Sequence, residues 1–166
     1  MSLMETEFER PGNPVDTIET VAALNDWNFD RSDEDEITIS VAGSWCDYHV
    51  SFSWMGDVES LHLACAFDLK VTELRKTEIV RLLALVNEQI WAGHFDLWSK
   101  EGVIMFRQSL LLTGGAEASS AQIEAMLTNA LENCERFYQA FQFVVWAGQT
   151  ASEAMKTALF ETAGEA

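Results

Sequence analysis

Three histidines, three cysteines and a large excess of carboxylates are the side chains of this chain that could do chemistry. His49 and His62 lie in two consecutive segments whose apolar residues alternate. Gly56-Asp57 between them fits a two-residue hairpin loop. That loop predicts Met55 opposite Val58, Phe52 opposite Leu61, Val50 opposite Leu63 and Tyr48 opposite Cys65. His49 then faces Ala64 and His62 faces Ser51, so the two imidazoles become diagonal neighbours on the polar face, with Asp47 beside them. A transition-metal centre needs about three or four protein ligands in fixed geometry. Two histidines fall short of that, so no metal ligand and no cofactor is assigned.

The other reactive side chains are equally scattered. Cys46 and His49 stand three positions apart on an extended segment, so they point to opposite faces and form no thiolate pair. Cys65 and Cys134 fall on apolar faces and read as small core residues. An odd number of cysteines without a C-x-x-C spacing argues against a disulfide framework and a structural zinc site. There is no G-x-S-x-G, no phosphate-binding loop with its lysine, and no H-E-x-x-H. Gly114-Gly115 precedes a helix, where an anion can bind. A strand-to-helix connection is the simpler reading of that pair. The carboxylates of Asp33 to Glu36 lack the apolar flanks that raise a pKa, so they read as a solvated loop. No catalytic residue is assigned.

The 166 residues suffice for one domain with a sizeable core, and 48% of them are hydrophobic. The formal net charge is −17. Such a surface repels phosphate backbones and anionic lipid, so nucleic acid and membrane are not expected partners. No apolar run reaches the roughly 18 residues of a membrane span. Met1 to Glu5 lack the basic and apolar segments of a secretory signal. With three unpaired cysteines, this points to a reducing cytoplasm. Lys70, Arg75, Lys76 and Arg81 gather around the start of the middle helix. Together with Trp98 they form the candidate interaction surface, facing a partner, a second subunit or the acidic N-terminal arm.

The elements that must position these residues follow from periodicity. Residues 1–13 read as a flexible polar arm, and 14–166 as a single domain. Asn13 caps a helix that Pro14 starts and that ends near Asn25. Strands follow around Trp27 to Phe29, Ile37 to Val41, Tyr48 to Trp54 and Leu61 to Phe67, each with a period of two. From Thr72 the period becomes helical, with Ile79, Leu82, Leu83, Val86, Ile90 and Trp91 on one stripe and Gly93 as the stop. Phe95 to Leu97 and Val103 to Leu112 form a hairpin. Val103 to Phe106 are apolar on both faces and so need cover on both. Ser119 with Gln122 opens a long helix to Val145, and Thr150 with Glu153 opens the last one.

Asn87 to Phe95, Gly102 to Arg107 and Cys134 to Phe143 together resemble the YbjN family of small bacterial proteins. The resemblance runs from about Asp16 to the C-terminus. The family is described in terms of sensory-transduction regulation, with no reaction assigned. It implies an α+β fold like that of type III secretion chaperones, with helices packed on an antiparallel sheet. Those chaperones are small, acidic, dimeric and non-enzymatic, and they hold extended segments of client proteins. The family pattern has a proline where this chain has Gln139, so no kink is expected there.

The sequence therefore reads as an α-β-β-β-β-α-β-β-α-α domain acting as a cytoplasmic, non-enzymatic binding or regulatory protein. Its expected partner is a protein, and a homodimer is expected. The alternative is a small-ligand or metal-binding sensor that uses the His49/His62 face or a pocket beneath the long helix.

Overall fold

The fold was derived from a computed structural model that describes residues 12–164. Residues 1 to 11 of the expected arm lie outside the described residues. Helix α1 (Pro14–Leu24) opens as the sequence indicates. The Asn13 side chain accepts from the Val15 N–H at 3.0 Å, and its amide also reaches the Asp35 carboxylate at 2.7 Å. Val15, Ile18, Val21 and Ala22 face inward. A four-strand meander follows: β1 (Asn28–Asp33), β2 (Glu36–Ala42), β3 (Asp47–Met55) and β4 (Ser60–Lys70). Helix α2 (Lys76–Asn87), strands β5 (His94–Trp98) and β6 (Val103–Leu111), and helices α3 (Ser120–Val145) and α4 (Ala151–Gly164) complete the order. This is the α+β element order expected from the sequence.

The strands form one antiparallel sheet in the order β1-β2-β3-β4-β6-β5. One face carries Ile37, Ile39, Val50, Phe52, Leu61, Leu63, Cys65, Ile104 and Phe106, all fully buried. These join Val86 of α2 and Ala130, Cys134, Phe137 and Phe141 of α3 in one core cluster. The centre of that core is aromatic. Phe95 meets Phe106 at 5.3 Å and Phe141 at 5.1 Å between ring centroids. Phe67 meets Tyr138 edge-on at 5.0 Å. Edge-to-face pairs of this kind add about 0.5–1.5 kcal/mol each beyond burial. Helix α3 runs unbroken through Gln139, as the missing proline requires.

Two sequence expectations are corrected. The β3–β4 register is shifted by two residues: Met55 pairs with Ser60, Trp54 with Leu61, Phe52 with Leu63 and Val50 with Cys65. The loop is longer than Gly56-Asp57 because Gly56–Val58 form a single 3-10 turn and Glu59 takes a left-handed conformation, φ 47°. A shift of two preserves which face each residue occupies, so the hydrophobic pattern could not detect it. The second correction is the end of α2. Its last residue is Asn87, six before Gly93. The Asn87 side chain turns to β5, donating to the Phe95 carbonyl at 3.0 Å and accepting from its N–H at 2.8 Å. Ile90 and Trp91 therefore lie in a loop, and Trp91 is 92% exposed.

The stripe expected on α2 is present, with Leu83 at its margin. Ile79, Leu82 and Val86 are buried, whereas Leu83 is half-buried. Truncating Leu82 to Ala should cost about 2–5 kcal/mol. Leu83→Ala should cost clearly less. Urea denaturation of both variants checks the ranking, and equal losses would contradict this packing.

Candidate functional site

The helices pack on one face of the sheet. The opposite face is paved with short or polar side chains: Thr38 and Ser40 from β2, His49, Ser51 and Ser53 from β3, His62, Ala64 and Ala66 from β4, and Met105, Arg107 and Ser109 from β6. Their placement follows from the pairings Thr38–Ser51, Ser53–His62 and Ala64–Arg107. His49, Ala66 and Ser109 are exposed, while Ser51, Ser53, His62 and Ala64 are half-buried. Met105 is buried there between Ala66 and Asp96. The apolar start of β6 thus gains cover from its strand neighbours rather than from a helix.

The two-residue register shift separates the histidines that the sequence placed together. His62 lies opposite Ser53, four positions along β3 from His49, or about 13 Å. His49 pairs with the Ser40 hydroxyl at 2.9 Å. Among the described residues no cluster of three or more His, Cys, Asp or Glu is arranged to hold a metal. Instead His62 meets Arg107, whose Nε donates to His62 Nε2 at 3.2 Å. An accepting Nε2 places the imidazole proton on Nδ1. Arg107 Nη1 donates to Asp96 at 3.2 Å. Arg107, His62 and His94 converge on a cleft of about 470 Å³, completed by Ala92, Gly93, Gln108 and Ser109. Gly93 sits at φ +76°, and a Cβ there would meet the Phe106 ring at 2.4 Å. Asn129 of α3 fixes this wall, donating to the Ala92 carbonyl at 3.0 Å and to Gln108 at 2.8 Å.

The remaining candidate residues are placed as follows. Lys70 and Trp98 both stand opposite Val103, so they share one row across β4, β6 and β5 on the open face. Trp98 is 48% exposed. Lys76 is ion-paired with Glu73, and Arg81 with Glu78 at 2.7 Å. The Arg75 guanidinium lies over Gly148, just beyond α3. Glu78 also accepts the Ala151 N–H at 2.8 Å at the start of α4, and that hydrogen bond holds its carboxyl below the usual glutamate range. The four-residue basic cluster seen in the sequence thus splits into Lys70, in a row with Trp98 on the open face, and three residues engaged around α2 and the α3–α4 junction. The Gly114 and Gly115 N–H groups are taken by the Glu59 carboxylate at 3.2 and 3.3 Å, so the chain itself supplies the anion at that turn.

The cysteines come closer than their spacing suggests. The Cys134 thiol of α3 is hydrogen-bonded to Cys65 of β4, and this contact, reinforced by burial, pushes it up. Burial also raises Cys46, beside Tyr48 and Tyr138. Thiols raised in this way are poor nucleophiles.

His62 is lowered below the ordinary imidazole value, first by burial, then by Arg107 and His94. A lowered folded-state value means that the unfolded chain binds the proton more readily. The stability His62 contributes is therefore complete above the ordinary histidine range and is lost as pH falls through the folded value. Arg107→Met should raise the His62 value, read by NMR of the imidazole Cε1–H. An unchanged titration would contradict the contact.

The sequence profile of the YbjN family, described as "Putative bacterial sensory transduction regulator", matches residues 14–143. No curated protein matches. Among solved structures, YbjN of E. coli, described as a putative transcription regulator, superposes with a TM-score of 0.55 at 10% identity, covering 78% of this chain and 90% of that one. A chain of the HopA1–SchA chaperone–effector complex gives 0.52 at 14% identity, over 72% of this chain and 88% of that one. A chain of the ExsC–ExsE complex gives 0.53 at 20% identity, over 75% and 93%. These likenesses show the fold, and the match across most of the chain shows that it belongs to the YbjN family.

Proposed function

We propose that this protein is a cytoplasmic, non-enzymatic binding module that holds a segment of a partner protein against the open face and edge of its sheet. The observation that carries this reading is the sheet face that the described residues leave uncovered. Its Ser, Ala and Thr side chains leave room for another chain to approach, and Trp98 and Leu111 stand exposed at its margins. An exposed aromatic beside short side chains suits protein contact. The fold likeness to chains solved in a chaperone–effector complex supports the same reading by analogy. None of the described helices is long and apolar enough to cross a membrane.

Hydrogen exchange on the protein captured with its native partner tests this. Protection should concentrate on β4, β5 and β6. Protection confined to α2 and α4, with the sheet exchanging as in the free protein, would defeat the proposal.

The reading includes a homodimer. An uncovered sheet face on so small a domain is economically covered by a symmetric second copy, while the charge of −17 opposes association. Association should therefore strengthen as salt screens the repulsion. Sedimentation at low and moderate salt checks it, and a monomer at both, at tens of micromolar protein, would remove the dimer.

A further inference from the structure

The sheet has a step. β5 pairs with β6 only from Val103 to Arg107, the last pair being His94 with Arg107, while β6 continues to Leu111. Gly93, at φ +76°, turns the chain out of the β5 lane, and Asn129 holds Ala92 there. Strand alternation fixes which backbone groups face the vacated lane. Phe95 spends its N–H and C=O on Asn87, away from β6. The Phe95–Phe106 pair is therefore the non-hydrogen-bonded kind, and Phe106, Gln108 and Leu110 turn their backbone groups to β4. Arg107, Ser109 and Leu111 turn theirs to the β5 side. Arg107 is paired with His94. Ser109 and Leu111 face a lane that no described residue of β5 occupies, and both are exposed.

The other routes for strand addition are obstructed. On the outer side of β5, Asn87 occupies the Phe95 groups, and the Asp96 side chain accepts the Leu97 N–H at 2.9 Å. β1 is irregular between Asp30 and Asp33. Arg31 lies across its end, donating to the Asp33 and Glu34 carbonyls at 3.2 and 2.6 Å. Bulges and charges are the usual protection of an edge. The Ser109 to Leu111 stretch has no bulge and no charged side chain of its own.

The step also has a charge. Its cleft brings Arg107, His62 and His94 together, with no carboxylate among the lining residues, on a chain where acidic residues outnumber Lys and Arg by 27 to 10. Asp96 faces the same group but binds Arg107 Nη1, and Nε is held by His62. Nη2 therefore remains to meet an incoming carboxylate. We propose that the step binds an extended peptide segment carrying an acidic side chain: the peptide adds a short strand beside Ser109 to Leu111, and its carboxylate enters the Arg107–His62–His94 cleft. This rests on the protein-binding reading and specifies where and what the chain binds.

The test uses the full chain and a labelled peptide of about ten residues, alternating Thr and Val around one central Glu, with a Gln counterpart. The Glu peptide should slow exchange of the Ser109 and Leu111 amides, and the Gln peptide should bind roughly tenfold more weakly. The groups facing the carboxylate are Arg107, His62, His94 and Asp96. Ser109→Pro removes only an N–H that points into the lane, so it should abolish binding while leaving the melting temperature close to that of the parent. Arg107→Met should erase the preference for Glu over Gln. Absence of binding, equal affinity for both peptides, or protection of β1 in place of Ser109 and Leu111 would each overturn the proposal. A native partner that protects other parts of the sheet while Ser109 and Leu111 still exchange would overturn this location and leave the protein-binding role standing.

Discussion

The structure depends on the contact between α3 and the middle of the sheet. Phe137, Tyr138 and Phe141 of the helix meet Phe67 of β4 and Phe95 of β5 in edge-to-face and tilted pairs. Phe106 of β6 closes the group against Phe95. These rings tie α3 to β4 and to the β5–β6 hairpin, which α2 separates in sequence. Removing any one ring would leave a void that its neighbours, held in fixed geometry, could fill only partly. The same helix reaches the other half of the sheet through Glu135, which accepts the Ser44 N–H at 2.8 Å and bonds Trp45 through its carbonyl at 3.1 Å. The Glu135 carboxylate and the Tyr48 ring crowd Gly43 so closely that a Cβ there would fall within 2.3 Å of both.

With the helices on one side of the sheet, the described residues leave the second sheet face bare. Large apolar residues on it would drive aggregation. The sequence avoids this by placing Ser, Thr, Ala and His at the outward positions. Met105 is screened by its neighbours, and the exposed exceptions, Met55, Trp98 and Leu111, stand at the ends of their strands. A face of short side chains is a surface another chain can approach closely, and its edges decide how. Asn87 closes one edge with two hydrogen bonds that imitate a strand partner. Arg31 fastens the other to α1 through Asp16 and Glu19, both at 2.7 Å. Among the described residues, the unguarded stretch of ladder at Ser109 to Leu111 adjoins the cleft that gathers Arg107 with two histidines.

Much of the fold was written in the chain because it depends on local or periodic signals. The caps at Asn13 and Ser119 act on N–H groups two or three residues away, so residue type and spacing suffice to find them. The period of two assigned the faces of β1 to β4 correctly, since alternation depends only on the pleat. The combined pattern from Asn87 to Phe143 carried the family. What the chain did not disclose involves partners distant in sequence. The β3–β4 register escaped because a slip of two residues leaves every side chain on its own face, and the left-handed Glu59 that lengthens the loop is not a glycine. The end of α2 escaped because Asn87 leaves the helix for the backbone of Phe95, a contact that exists only once β5 is docked. The cleft escaped for the same reason. His62, His94 and Arg107 come from three strands whose order, β4-β6-β5, is settled by the long crossover through α2, and nothing in their spacing marks them as neighbours.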